Sequence, residues 1–387
     1  MKKIVLALTL LFSATSIAAE KPGLVSKKPT EGRFVETDQG FMVPYQVTIP
    51  GTKVSFWMEP IPGGEFVMGS PESESGREDI EGPQKTAKVA PFWMARLEVT
   101  WAEYKQYIAL YGAFKSFEEK GLRPVTEENK IDAVTAPTPL YQPSFTFEFG
   151  EKPELPAITI TQYSAKQYSK WMSAITDMQF RLPTEAEWEY ACRAGSTTAF
   201  HFGDDASQLG EYGWFVDNTG EGGQRKGGLK KPNPWGLYDM HGNVAEWVLD
   251  NLEPYEATEK PFDGSTWVHK PKLDPRVVRG GSWEFEAYQC RSASRLGSDS
   301  SDNEFGWREY DPDLPLSPWW FTSDPTRGIG FRLIRPFKEV PRKQMEEAWK
   351  IDNEETQYDV NDRLEEGRGV RGIVDKNLPA AMKALKK

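Results

Sequence analysis

The 387-residue chain is poor in the side chains that bind soft or transition metals: it has two cysteines, Cys192 and Cys290, and three widely spaced histidines, His201, His241 and His269. No Ser-His-acid constellation is legible either, which leaves a serine-hydrolase triad without support. Basic blocks are missing as well. With a net charge of −11, the chain offers no electrostatic footprint for nucleic acid or an anionic membrane. No stretch is long and apolar enough to span a bilayer. The one apolar run, Ile4–Phe12, follows Met1-Lys2-Lys3 and precedes the small residues Ser16-Ile17-Ala18. That pattern predicts a signal peptide over residues 1–19, with no cysteine after it to carry a lipid anchor. A periplasmic or secreted protein follows. What the chain has in quantity is 33 Gly and 29 Pro, which predict many turns and ordered loops. Its 14 Trp and 14 Tyr fit either carbohydrate or peptide binding or a loop-rich core that needs large side chains.

Residues 20–55 read as a polar leader without periodicity, and the core is expected over 56–337. Phe66-Val67-Met68 and Phe92-Trp93-Met94 have strand character between glycines and turns. Thr100 and Glu103 form a capping box that starts a helix, with Trp101, Tyr104 and Ile108 on one face. A second helix follows Thr161, with Tyr168, Trp171, Met172 and Ile175 at helical spacing. A third carries both ends in its sequence, Thr184 with Glu187 as a capping box and Gly195 as the stop. Trp188, Ala191 and Cys192 share its inner face. In an oxidising compartment the even cysteine pair is a candidate disulfide, and two separate buried thiols are the alternative. The insertion 296–327, with Phe305, Trp307, Tyr310, Trp319, Trp320 and Phe321, is placed beside the groove that follows Gly280-Gly281. Residues 338–387 are charged and helix-forming, and are expected to be a solvated tail outside the core.

The stretch Asn233-Pro-Trp-Gly-Leu-Tyr-Asp-Met-His-Gly-Asn-Val-Ala-Glu-Trp247 is a turn flanked by two carboxylates, Asp239 and Glu246. An oxygen-rich turn of this kind suits a hard cation such as calcium, and it is equally an ordinary Asx-rich turn. Four more motifs accompany it in order: Gly63-Gly64-Glu-Phe-Val-Met-Gly69, Arg181-Leu-Pro-Thr-Glu-Ala-Glu-Trp-Glu-Tyr190, Arg279-Gly-Gly-Ser-Trp283 and Gly330-Phe-Arg332. Together they closely resemble the sulfatase-modifying factor family, that of the formylglycine-generating enzyme. The resemblance covers about Phe56 to Pro336. It implies a single loop-rich α+β domain of the C-type-lectin-like kind with structural calcium. It also implies that Asp239, Gly242, Val244 and Glu246 are calcium ligands and that Cys192 pairs with Cys290. A second family calcium site is matched too loosely, over Tyr212–Asn218, for its ligands to be named.

The chemistry is where the chain departs. The family's enzyme holds copper(I) on two cysteines just after the Gly-Gly-Ser segment, a soft ion on soft ligands. Here that segment continues Trp283-Glu-Phe-Glu-Ala-Tyr-Gln289, with no cysteine, so no copper is expected. Ser282 matches the family's active-site serine. Glu284 and Glu286 are the candidate acid–base groups of the groove, and a solvated acidic loop is the competing reading. The expectation is an exported family member that binds a peptide, glycan or small ligand in that groove without formylglycine chemistry. The alternative is a family enzyme acting in oxidative protein or metabolite tailoring, or in formylglycine generation itself.

Overall fold

The computed structural model describes residues 21–140, 142–220, 222–298, 307 and 317–385. The predicted signal peptide, and Phe305 and Tyr310 of the insertion, lie outside them.

The helices begin where local chemistry dictates. In Trp101–Ile108 the Thr100 hydroxyl accepts from Glu103 N, and the Glu103 carboxylate accepts from Thr100 N at 3.1 Å, so two orphan donors are satisfied. Glu185–Arg193 repeats the device with Thr184 and Glu187, and Arg181 adds a two-pronged ion pair to the Glu187 carboxylate at 2.7 and 2.8 Å. This helix ends one residue earlier than the glycine suggests, with Ala194 itself in the left-handed region at φ 47°. The longest helix among the described residues, Gln162–Thr176, is buried along nearly its whole length, with Tyr168 stacked on Tyr104 of the first helix and Trp171 tilted against its Tyr107.

Two four-stranded sheets organise this α+β domain. One runs Arg295–Gly297, Arg276–Arg279, Ala245–Asn251, Ile329–Gly330, antiparallel except for its last pair. The strand Ala245–Asn251 is buried at every residue, so it separates core from core rather than core from solvent. The other sheet runs Ile334–Pro336, Phe92–Ala95, Ser55–Ile61, Tyr45–Thr48, antiparallel throughout.

Both chain ends differ from their expected roles. Residues of the polar leader form Tyr45–Thr48, which pairs with Ser55–Ile61 and alternates inward and outward side chains. Met42, Val47 and Ile49 thereby join the main core. The C-terminal segment is likewise part of the fold and not a solvated tail. Its strand Val370–Ile373 pairs antiparallel with Ala133–Ala136, and Met345, Ala348, Trp349, Val360, Val374 and Leu378 are buried in the core. Single apolar residues among charges carried no visible period, because each faces a partner far away in sequence. The segment is riveted by Asp352, which pairs with Lys166 at 3.0 Å and with Arg276 at 2.8 and 3.0 Å.

The insertion is also corrected in part. Trp307, Trp319, Trp320 and Phe321 are buried in the core, with Trp247 against Trp307 and Phe321, and Phe321 also borders a small recess beside Trp247 and Asp352.

Candidate functional site

The oxygen-rich turn sits at the end of the buried strand 245–251, so its groups are held by core packing. Asp239, Gly242 and Asn243 all adopt positive φ. At Gly242 this is obligatory, because a Cβ there would lie 2.2 Å from the carbonyl oxygen of Trp214. Asn243 ties the turn to its surroundings. Its Nδ2 donates to Glu98 at 2.9 Å, its Oδ1 accepts from Arg225 N at 2.8 Å, and its carbonyl accepts from Trp283 N at 3.0 Å. The last bond joins the turn to the segment after Gly280-Gly281.

The four residues expected around a cation do not play equal parts. Glu246 is enclosed and already neutralised: Arg332 grips both its oxygens, and Trp188 Nε1 donates to it at 2.8 Å. Asp239 accepts from Gly228 N at 2.8 Å on one oxygen, and its other oxygen, Oδ1, is buried without a partner. Glu98 is in the same condition, with Oε1 bonded to Asn243 and Oε2 buried and unpartnered. Burial first, then the neighbouring carboxylates, push Asp239 up to about 6 and Glu98 well above the ordinary range, against the pull of Arg332. The two carboxylate oxygens, buried without donors in one acidic cluster, have the hard-oxygen chemistry that a cation such as calcium takes. Among the described residues no three His, Cys, Asp or Glu side chains converge on one point. The donor set that fits calcium is therefore Asp239 and Glu98 with backbone carbonyls of the turn, where hard oxygen ligands suffice. Glu98 escaped sequence reading, although a lone acidic residue between Leu97 and Val99 is an available signal.

The groove segment starts at Ser282, which is fully buried. Its hydroxyl accepts from Glu284 N at 3.3 Å, and a Cβ at Gly328 would lie 2.7 Å from it, so nothing else fits beside it. Ser282 thus shapes a turn inside the protein. Trp283 is buried, with its ring edge-on to Phe149. Glu284 is solvent-accessible yet surrounded by enough protein to raise its carboxyl above the ordinary range. The charges of Asp324 and Glu148 add to that, and Arg327 opposes it. Arg327 pairs with Glu148 at 2.9 Å and Asp324 at 3.1 Å, over the ring of Phe145. Glu286 stands apart, exposed at the start of the turn Ala287–Cys290, where its N–H donates to Gln289 at 3.0 Å. The structure therefore brings Glu284 alone of the three candidates to an electrostatically built surface.

The expected disulfide is not formed: Cys192 and Cys290 are both buried free thiols. An imidazole occupies their neighbourhood. His241 Nδ1 donates to the Cys290 carbonyl at 2.8 Å, and its ring nitrogens lie 3.7 and 3.8 Å from Cys192 Sγ. Burial raises both thiols, Cys192 to about 12, which disfavours thiolate and metal ligation alike. His201 and His241 stack, bonded at 2.9 Å, and burial lowers both, to about 4 and about 3.

Comparison with known proteins gives a consistent picture. Residues 57–309 match the model of the sulfatase-modifying factor enzyme 1-like domain. The formylglycine-generating enzyme of Bos taurus is 28% identical over 332 residues, 77% of this chain and 85% of that protein. The inactive C-alpha-formylglycine-generating enzyme 2 of Mus musculus is 27% identical over 282 residues, 64% of this chain and 83% of that protein. The structure of PvdO from Pseudomonas aeruginosa superposes with a TM-score of 0.52 at 26% identity, covering 82% of this chain and 100% of that one.

Proposed function

Since the chain belongs to the sulfatase-modifying factor enzyme 1-like domain family, we propose that it is an exported member that binds a peptide, glycan or small ligand beside Glu284 and does not generate formylglycine. The observation that carries this reading is the fate of the two cysteines. Both are sealed in the core with raised thiol pKa values, and the groove segment Trp283–Gln289 contributes no sulfur. Copper(I) chemistry has no soft donor there. Structural calcium belongs to the same proposal, held by Asp239 and Glu98 with turn carbonyls. It would neutralise the buried acidic cluster and fix the turn that Asn243 links to Trp283. Export rests on the basic-then-apolar pattern of residues 1–19.

Glu284 favours a second reading, an enzyme of the family working without the cysteine pair. A carboxyl raised by its surroundings is suited to proton transfer near neutral pH. Binding distinguishes these readings from a bare scaffold. The full chain, loaded with calcium, is screened against immobilised peptide and small-molecule libraries, and Glu284→Gln and Arg327→Ala are screened in parallel. Hits that weaken in both variants support a ligand beside Glu284. Hits that ignore both variants, or no hits, contradict it.

A further inference from the structure

A second recess lies away from the groove, at the seam between the loop after strand 245–251 and the C-terminal helix Arg342–Trp349. It is an open recess of about 290 Å³, lined by Ser265, Thr266, Trp267 and His269 on one side and by Gln344, Glu347 and Lys350 on the other. Gln344, Glu347 and Lys350 come from the C-terminal segment, beyond the residues that match the family model. We propose that the recess is a binding site for a neutral sugar unit of a glycan, with Trp267 as its aromatic platform.

Three observations carry the assignment. The first is rigidity. Trp267 packs on the main core, and its loop is pinned by the buried Asp250 and Asn251 on one side and by the exposed Asp263 on the other. Val268 N donates to Asp250 at 2.8 Å, Lys270 N donates to Asn251 at 2.8 Å, and Ser265 N donates to Asp263 at 2.9 Å. An aromatic surface held in place before binding saves the ordering cost that weak ligands cannot meet. The second is charge. Glu347 pairs with Lys350 at 2.5 Å, and burial and the nearby cations Arg276, Lys166 and Lys350 lower the His269 pKa against the pull of Asp352. The two formal charges of the lining, Glu347 and Lys350, thus offset each other, and His269 is held towards its neutral form. The third is chemistry. An aromatic wall beside two hydroxyls, an amide and an imidazole matches a pyranose, which has C–H faces and an equatorial fringe of hydroxyls. The volume, close to the roughly 300 Å³ lower bound of ligand pockets, admits one sugar residue of a longer chain and not a drug-sized molecule.

The test uses the full chain with calcium on a printed array of neutral oligosaccharides built from hexose and N-acetylhexosamine units. Saturation-transfer NMR then follows on the strongest features. Binding is expected to fall about tenfold in Trp267→Ala, to be largely restored in Trp267→Phe, and to fall severalfold in Gln344→Ala, whose exposed side chain has no role in folding. An array without a bound neutral glycan overturns the proposal. So does binding that survives Trp267→Ala but disappears in Glu284→Gln, a result that places the sugar in the groove and separates this site from the one proposed above.

Discussion

Replacing Asp352 by Asn tests whether the C-terminal segment is integral to the domain. Asp352 lies at the centre of a buried three-membered ion cluster, bridging Lys166 on the long helix and Arg276 on the central sheet. The side chains of all three are less than a tenth exposed. The substitution leaves two cations buried without their counter-ion, a change that costs about 3–5 kcal/mol. That is a large share of the stability of a typical domain. Unfolding in urea at pH 7 measures it as a lower midpoint at unchanged slope. The cations around Asp352 hold its carboxyl well below the ordinary range. A depressed folded pKa stabilises above the unfolded value of 3.8 and is lost as pH falls below it towards the folded value. Wild type should therefore lose stability below pH 3.8, and Asp352→Asn should show less of that slope. Protease should also cut the variant early between Lys350 and Glu355. A variant within about 0.5 kcal/mol of wild type, the spread of ordinary surface substitutions, with unchanged cleavage, refutes the packing described for residues 338–385.

Other consequences are equally accessible. Glu103 is buried and raised to about 7, mainly by burial. A raised carboxyl is a stability loss that grows as pH rises from 4.5 to about 7, amounting to about 3 kcal/mol in wild type. Glu103→Gln should flatten the melting temperature across that window, and an unchanged slope contradicts the assignment. Calcium in hundredfold excess over its Kd should raise stability by about 2.7 kcal/mol, measured by calorimetry with and without chelator. The response should shrink in Glu98→Gln, and a melt indifferent to chelation removes the cation site. Arg332→Met strands Glu246 and should cost about 3–5 kcal/mol, whereas adding Glu246→Leu should recover part of it. A double-variant loss equal to the sum of the two single-variant losses would show that the pair is not coupled.

Legibility in the sequence followed the range of the interactions. Both capping boxes are local, and each appears where Thr100 and Thr184 announce it. The five ordered motifs also mark the elements that surround the turn: Arg332, Glu246 and Arg279 meet across neighbouring strands. The rest depends on partners remote in the chain. Nothing near Val370 signals that it will pair with Ala136, nor does Asp352 reveal Lys166 and Arg276. At the candidate site, Asp239 was legible from its turn, whereas Glu98 is recognisable only once its second oxygen is seen buried without a donor. Ser282 shows what a motif position leaves out. The motif marks the position, and only the structure shows Gly328 close against the buried side chain.

The segment after Gly280-Gly281 is where this chain's chemistry differs most from that of a formylglycine-generating enzyme. The most direct measurement incubates the purified chain with copper(I), oxygen and a Cys-x-Pro-x-Arg peptide and follows the peptide by mass spectrometry, with an authentic formylglycine-generating enzyme as the positive control. The prediction is an unmodified cysteine after exhaustive incubation, because Cys192 and Cys290 are buried with raised thiol pKa values. Conversion of the peptide cysteine to an aldehyde, trapped by an aminooxy probe, would contradict it.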